Sequence, residues 1–309
     1  MITDQSIFKN DKEYYTAITI GTFEGVHIGH QKILERLIKD ANDLQLKSMV
    51  LTFFPHPRMV LQKDSDLKLL NTIDEKIKIL KRLGLDYLII HPFTKDFSRL
   101  SATEFVRDLL VNNLRIKKII IGYDHRFGRN RTANINDLIA FGSTLDFEVA
   151  EISAQEINDV SVSSTKIRKA LSEGDVKTAN SYLGYPYMLT GTVKKGQGIG
   201  RQLNYPTANI HIEETYKLIP KTGAYVVKSD IEDVSVYGMM NIGYNPTVSG
   251  TTKSIEVHFF DFNEDLYNLE LQIDILDRLR DEFKFESVEA LKEQLSKDKT
   301  TSLSIISEL

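Results

Sequence analysis

His27 and His30 stand three residues apart where a glycine-bearing turn runs into a helix-like segment. The turn reads Gly21-Thr22-Phe23-Glu24-Gly25-Val26-His27-Ile28-Gly29-His30, after an apolar strand-like run at 17–20 and before a helical pattern at 31–41. Free N–H groups and the positive end of the dipole make a helix N-terminus an anion site. Two imidazoles added there can hydrogen-bond phosphate oxygens whose charge grows in a transition state. The pattern points to chemistry on a nucleoside triphosphate. Histidines at this spacing also occur on solvated helix faces, and the glycines and the preceding strand are what weigh against that. A zinc site would need further ligands. The chain has no cysteine, and no other histidine pair has ligand spacing.

Further groups with chemical potential follow apolar runs. Phe54-Pro55-His56-Pro57 holds His56 on a stiff loop, which is equally well an inert surface feature. Gly122-Tyr123-Asp124-His125-Arg126-Phe127-Gly128-Arg129 offers a carboxylate, aromatics that can stack on a flat ring, and cations that can meet phosphate. Ser163-Ser164-Thr165-Lys166-Ile167-Arg168 looks like a helix start, and Ser or Thr there can simply cap. Lys166 and Arg168 add the possibility of triphosphate binding. Later, Gly196-Gln197-Gly198-Ile199-Gly200-Arg201 precedes Asn204-Tyr205-Pro206-Thr207-Ala208-Asn209. Glycines let a backbone approach phosphates closely. Thr207 and Asn209, two apart on an extended segment, share a face and could both ligate a hard cation such as Mg²⁺. A polar strand face is the alternative. Glu256 shares a strand face with His258 and Phe260. Facing a barrel interior it would be a candidate general base; facing outward it would be a solvated acid.

The elements that must carry these groups fall into two patterns. Strand-like runs at 17–20, 48–53, 87–90, 118–121 and 147–152 alternate with helical patterns, two of which open at Thr72 and Ser101 with a glutamate three residues on, as in a capping box. Such alternation predicts a doubly wound parallel sheet with ligands at the strands' carboxyl ends. A helical region at 164–183, broken near Gly174, ends at Gly184-Tyr185-Pro186, where a domain boundary is expected. This gives domains at 1–186 and 187–309. Beyond it, short β-rich runs at 188–193, 224–228, 236–242, 254–260 and 269–276 suggest a barrel. A closing amphipathic helix is expected at 287–297, with Val288, Leu291 and Leu295 on one face. A chain of 309 residues fits two domains. A net charge of −4 disfavours general nucleic-acid binding. No apolar stretch approaches membrane-spanning length, so a cytoplasmic protein without membrane attachment is expected. Oligomeric state is not readable.

Taken in order, these motifs resemble the bacterial bifunctional riboflavin kinase/FMN adenylyltransferase family, the FAD synthetases, over nearly the whole chain. The N-terminal half carries the His27-Ile28-Gly29-His30, Phe54-Pro55-His56-Pro57, 122–128 and 163–168 segments. The C-terminal half carries Pro206-Thr207-Ala208-Asn209, Asn241-Ile242-Gly243-Tyr244-Asn245-Pro246-Thr247, Glu256-Val257-His258 and Leu279-Arg280-Asp281-Glu282. The resemblance implies an N-terminal nucleotidyltransferase domain and a C-terminal riboflavin kinase domain built on a six-stranded-type β-barrel. It implies phosphorylation of riboflavin to FMN and adenylylation of FMN to FAD, with ATP and Mg²⁺. His27, His30 and Glu256 would be catalytic. Gly21, Phe23, Gly29, Ser164, Thr165, Arg168, Gly196, Gly198, Gly200 and Arg201 would bind ATP or its phosphates. His56, Asp124, Arg126, Phe127, Asn245 and Arg280 would lie at the flavin, and Thr207 and Asn209 at the metal. Small-molecule substrates are the expected partners. A chain that keeps one of the two reactions, or binds flavin or nucleotide without turnover, is the competing expectation. It is motivated by departures from the family pattern. Thr22-Phe23-Glu24 stands for Asn-Phe-Asp, and His125 for an aromatic. Asn130-Arg131-Thr132-Ala133 is less glycine-rich than usual. Ile199 replaces a basic residue, and Asn204 and Asn268 replace glycines.

Overall fold

The computed structural model describes residues 1–4, 14–62, 66–122, 125–152, 162–196, 200, 203–232, 234–247 and 250–309, with side chains at 245–252 left aside. The chain forms two compact units, Met1–Leu69 with Ile73–Ser163, and Leu70–Thr72 with Ser164–Leu309. This division falls two helices ahead of the boundary expected at Pro186.

In the first unit, β1 (Ile2–Asp4), β2 (Thr16–Ile20), β3 (Lys47–Phe54), β4 (Tyr87–Pro92), β5 (Ile116–Gly122) and β6 (Glu148–Ile152) form one parallel sheet in the order β1-β4-β3-β2-β5-β6. Every residue of β2 is buried, as expected for a central strand covered on both faces. From β2 the chain winds outward through β3 to β4, then returns past β2 to β5 and β6. Right-handed crossovers in opposite directions put their helices on opposite faces. Alternate residues Ile18, Ile20, Met49, Leu51, Ile119 and Ile121 pack with Phe105, Val106, Leu109 and Leu138 in one core cluster. The edge strand β1, three residues long, leaves no periodic signal in the sequence.

Helices begin where side chains can satisfy their first N–H groups. The expected box at Ser101 is present: its Oγ accepts the Glu104 N–H (3.2 Å), and Glu104 accepts the Ser101 N–H (2.8 Å). A second box, Asn134 with Asp137, opens the helix Ile135–Leu145. Its capping residue is Asn, so a search for Ser or Thr followed by Glu passes over it. The direction of winding reverses between β2 and β5, the switch point beyond whose strand carboxyl ends sheets of this kind bind ligands. The turn carrying His27 leaves β2 at this point, and the segment from Gly122 to Gly128 leaves β5.

In the second unit, α6 (Ser164–Glu173) and α7 (Val176–Leu183) are separated by Gly174, whose φ of 86° suits glycine. Six strands follow: β7 (Tyr187–Lys194), β8 (Ala208–His211), β9 (Gly223–Ile231), β10 (Val234–Thr247), β11 (Gly250–Phe259) and β12 (Glu270–Arg280). They close into a barrel in the order β10-β11-β8-β7-β12-β9, and each pair is antiparallel. Closure leaves no free strand edge. The closing helix runs over Val288–Ile306, longer than expected, capped by Ser287. One expectation is corrected: Val288 is exposed, because the packed face lies further along, through Asp298 and Ser302. Asp298 explains that face. It takes the Arg280 guanidinium in a fork (Nε to Oδ1 3.1 Å, Nη2 to Oδ2 2.8 Å) and a hydrogen bond from Gln294 (2.8 Å). Both partners are largely buried. Replacing Asp298 by Ala leaves a cation without its partner, so stability should fall by about 3 kcal/mol. The measurement is a urea unfolding curve followed by circular dichroism, and a midpoint equal to the parent's would refute the anchoring role.

Candidate active sites

The first site is built at the carboxyl end of β2. Between Ile20 and the start of α1 (Ile28–Asp43), the backbone takes left-handed values at Phe23 (φ 44°), Gly25 (φ 80°) and Val26 (φ 36°). Phe23 is buried, with its ring over Gly21 and 5.1 Å from the His30 ring. What Phe23 can offer a ligand is therefore its backbone. His27 caps α1: its Nδ1 accepts the His30 N–H at 3.4 Å. Because Nδ1 accepts, the neutral ring carries its proton on Nε2. Gly29 leaves room for the ring, since a Cβ there would lie 3.3 Å from His27 Nδ1. The His27 and His30 rings stack at 3.7 Å, 14° from parallel. Burial pushes His27 down to about 4 and His30 well below the ordinary histidine range. For His30, the neighbouring His27 and the Lys76 ammonium also make a positive charge costly. The pair therefore stands as two neutral imidazoles beside free helix N–H groups. His30 Nδ1 is buried and has no hydrogen-bond partner among the described residues. Below the turn, buried Lys76 donates to the Thr22 carbonyl at 2.7 Å and lies in the field of buried Glu24.

Other expected groups in this unit sit at the same sheet edge. His56 caps the short helix Pro57–Leu61, accepting the Arg58 N–H at 3.2 Å. Phe127 is buried and bridges to Ala133, while Arg126 is exposed. Asp124 lies outside the described residues. Gly128 has φ 71°, and a Cβ there would meet the Ala102 backbone at 3.1 Å. Aromatic rings run along this edge: Phe53, Phe93 and Phe97 lie within 5.7 Å of one another, Phe97 meets Phe105 at 6.2 Å, and Phe105 meets Phe127 at 5.8 Å. His91, which belongs to none of the motifs, stands 4.4 Å from Phe97 with its Nδ1 buried and unpartnered among the described residues. Nothing in its spacing marks it; only the end of β4 brings it here. Ser164, Thr165 and Arg168 occupy the first half of α6 and belong to the other compact unit.

The second site lies on the barrel's outer face. Ile255, Val257 and Phe259 are the buried alternates of β11, so Glu256 and His258 point the other way. Neither expectation for Glu256 holds as stated: it faces outward, yet it is half-buried instead of fully solvated. Thr207 donates its hydroxyl to the Glu256 carboxylate at 3.2 Å. Register places Asn209, Glu256 and Asn241 opposite one another on β8, β11 and β10, so all three share one face. Asn241 belongs to this row by strand register alone. Two glycines crowd it. A Cβ on Gly196 would come within 2.2 Å of the Asn209 amide, and one on Gly200 within 2.3 Å of the Tyr205 carbonyl. Gly198 and Arg201 lie outside the described residues, as does the Asn245 side chain; its backbone pairs with Thr252. A cavity of about 270 Å³ opens beside Thr207, lined in part by Pro206, Val257, Phe262 and Tyr267. Arg280 is held by Asp298 and lies 4.7 Å from the Phe283 ring. Among the described residues no group of three or more His, Cys, Asp or Glu could hold a metal. Neutral oxygens of Thr207 and Asn209 beside one carboxylate suit a hard cation that brings its own water and phosphate ligands.

Several departures from the family pattern find a physical reason here. Asn204 (φ 64°) and Asn268 (φ 65°) stand at left-handed positions, where asparagine is the residue best able to replace glycine. Asn130 (φ 57°) does the same, whereas Arg131 (φ 58°) has no such tolerance.

Comparison with known proteins covers both units. The FAD synthetase family profile matches residues 9–166, and the riboflavin kinase profile matches 183–306. The chain is 37% identical over 294 residues to the bifunctional riboflavin kinase/FMN adenylyltransferase of Listeria monocytogenes, covering 94% of this chain and 93% of the relative. It is 39% identical over 287 residues to the protein of that name from Buchnera aphidicola of Schizaphis graminum, covering 92% and 91%. Against that of Escherichia coli K12 it is 34% identical over 286 residues, again covering 92% and 91%. A crystal structure from Streptococcus pneumoniae, described as a macrolide-efflux protein, superposes with a TM-score of 0.87 at 32% identity, over 97% of this chain and 98% of that one. In this chain, no described helix is long and apolar enough to cross a membrane. Two family profiles in tandem and full-length relatives leave one assignment: the chain belongs to the bifunctional riboflavin kinase/FMN adenylyltransferase family.

Proposed function

We propose that the chain runs its family's two reactions at these two sites, phosphorylating riboflavin to FMN at the Thr207–Glu256 row and adenylylating FMN to FAD at the His27–His30 turn. The observation that carries this reading is the contrast between the sites. One presents neutral stacked imidazoles at a helix N-terminus; the other presents a half-buried carboxylate hydrogen-bonded to a threonine and flanked by close-packed glycines.

In the kinase unit, Glu256 accepts the proton of the ribityl 5′-hydroxyl as that oxygen attacks the γ-phosphorus of ATP. The new O–P bond forms while the bond to the ADP oxygen breaks. Mg²⁺, held by Thr207 and Asn209, would neutralise phosphate charge there. Gly196 and Gly200, with Gly198 and Arg201, bring backbone and cation to the phosphates. The cavity beside Thr207 takes the nucleoside end of ATP, being partly apolar and next to the phosphate groups. Arg280, fixed by Asp298, serves the flavin by holding the segment that carries Phe283. Asn245 remains a candidate for flavin contact.

In the first unit, a phosphate oxygen of FMN attacks the α-phosphorus of ATP, and the bond to pyrophosphate breaks. Negative charge builds on the departing pyrophosphate. His27 Nε2–H and the His30 ring donate hydrogen bonds to it, with the backbone around Gly21, Phe23 and Gly29. Ser164, Thr165 and Arg168 are the phosphate-contact candidates of α6. The aromatic edge through Phe53, Phe97 and Phe127 suits the flat isoalloxazine ring, with His56, Arg126 and Asp124 as polar partners.

The decisive experiment incubates the full chain with Mg-ATP and either riboflavin or FMN, and separates the flavins by chromatography. FMN from the first and FAD from the second are expected; absence of either product sinks that half of the proposal. His30→Ala should lower FAD formation by about 10²-fold or more and leave FMN formation intact, and Glu256→Gln should do the reverse. Acid should also act through His27. Between pH 6.5 and about 4 the unfolded chain binds a proton there that the folded chain refuses. Stability therefore rises with pH across that window and is lost on acidification, by about 2 kcal/mol at pH 5. His27→Asn keeps a capping oxygen and removes the titration. Its urea midpoint should drop less between pH 7 and pH 5 than the parent's, and an equal drop would argue against the depressed histidine.

A further inference from the structure

Lys76 has no place in the reactions as written, yet it is buried at an expensive position. It lies in the first turn of α3 (Ile73–Arg82), where a cation opposes the helix dipole, and it is only 5% exposed. A buried ammonium costs stability unless it is well partnered, and an apolar side chain of similar length would usually serve packing better. The position is therefore explained by what the ammonium touches. Its Nζ donates to the Thr22 carbonyl at 2.7 Å, and Thr52 Oγ1 donates to the same oxygen at 3.2 Å. Glu24, 4% exposed, supplies the opposing charge, and His30 lies within the field of the ammonium. On its own helix Lys76 follows Asp74 and buried Glu75.

Thr22 is the residue at which the chain turns out of β2. Its carbonyl is gripped by two donors from two other elements, just before the left-handed run at Phe23, Gly25 and Val26. We propose that Lys76 is a positioning residue for adenylyl transfer: by fixing the Thr22 carbonyl it holds the turn in the one conformation that aims His27, His30 and the α1 N–H groups at a nucleoside triphosphate. The inference rests on the adenylyl-transfer reading of that turn. A misplacement of about 1 Å at such a centre costs about 10²-fold in rate, so the effect of losing the grip is measurable.

The bifunctional chain carries its own control, because the kinase reaction sits in the other unit. Lys76→Met should lower kcat for FMN adenylylation about tenfold or more, with little change in KM for FMN, while riboflavin phosphorylation stays within about twofold. Lys76→Arg, which keeps a donor, should recover most of the rate. Thr52→Val, which removes the second donor to the same carbonyl, should cause a smaller loss in the same direction. The double variant Glu24→Gln, Lys76→Met separates gripping from charge balance and should remain slow. Full recovery in the double variant would show that Lys76 merely neutralises Glu24 and would overturn the inference. So would a normal rate in Lys76→Met, or a parallel fall in both reactions. His30→Ala run alongside tells the two failures apart. If His30→Ala also leaves FAD formation intact, the reading of the turn itself is wrong; if only Lys76→Met does, the positioning role alone falls.

Discussion

A valine held in left-handed backbone is the constraint around which the first unit is arranged. Val26 has φ 36°, a region β-branched residues avoid, and such strain costs about 1–3 kcal/mol. It persists only because the surroundings leave no other choice. The Val26 side chain is fully buried, its N–H reaches the Phe23 carbonyl at 3.2 Å, and its carbonyl accepts from Gln31 at 2.9 Å. Thr22, four residues earlier, is gripped from α3 and β3. The turn must bring the chain from the central strand to the first turn of α1 in seven residues, and along this bent path the His27 ring lies against Gly29. A looser turn would still allow a helix and a sheet. It would not stack two imidazoles 3.7 Å apart at the helix start.

The barrel unit solves its positioning problem by register instead of strain. Antiparallel pairing puts Asn209, Glu256 and Asn241 side by side with no unusual backbone among them. Closure of the barrel makes a one-residue slip costly, because it would turn Val257 outward and Glu256 into the core. The apolar interior thus decides where the polar row stands. The glycines at 196 and 200 then let the chain lie directly against that row, where any side chain would collide with Asn209 or the Tyr205 carbonyl.

Most of this architecture was legible in the sequence because it is written in periodicity. Five of the six parallel strands and the helix break at Gly174 follow from apolar runs and turn residues, and the Ser101 box was recognisable from spacing. What escaped has common causes. β1 is three residues long and owes its existence to the edge of β4. Lys76 reads as one more surface lysine in a charged helix, and only tertiary contact with Thr22 and Glu24 distinguishes it. Asn241 was visible as part of a motif, but its neighbours are set by register across two strands. Arg280 was expected at the flavin, and its fork to Asp298 joins residues 18 positions apart. The departures at Asn204 and Asn268 counted toward a chain with reduced activity and are conformational equivalents of glycine.

On the proposed assignment, the two sites differ in charge because the two reactions place it differently. Adenylyl transfer expels pyrophosphate, so the demand is for hydrogen-bond donors that meet growing negative charge at the leaving group. A carboxylate aimed at that point would repel it, and Glu24 is accordingly buried under the turn beside Lys76. Phosphorylation of an alcohol has the opposite difficulty. The nucleophile is a weak acid whose proton needs an acceptor, and the acceptor must stand beside a polyanion. In the proposed assignment Glu256 would meet that need, its carboxylate held by the Thr207 hydroxyl. The repulsion between carboxylate and phosphate is then what a hard cation between Thr207 and Asn209 would offset. One imidazole pair or one carboxylate could not serve both demands, which is a physical reason for a bifunctional chain to keep two separately built sites.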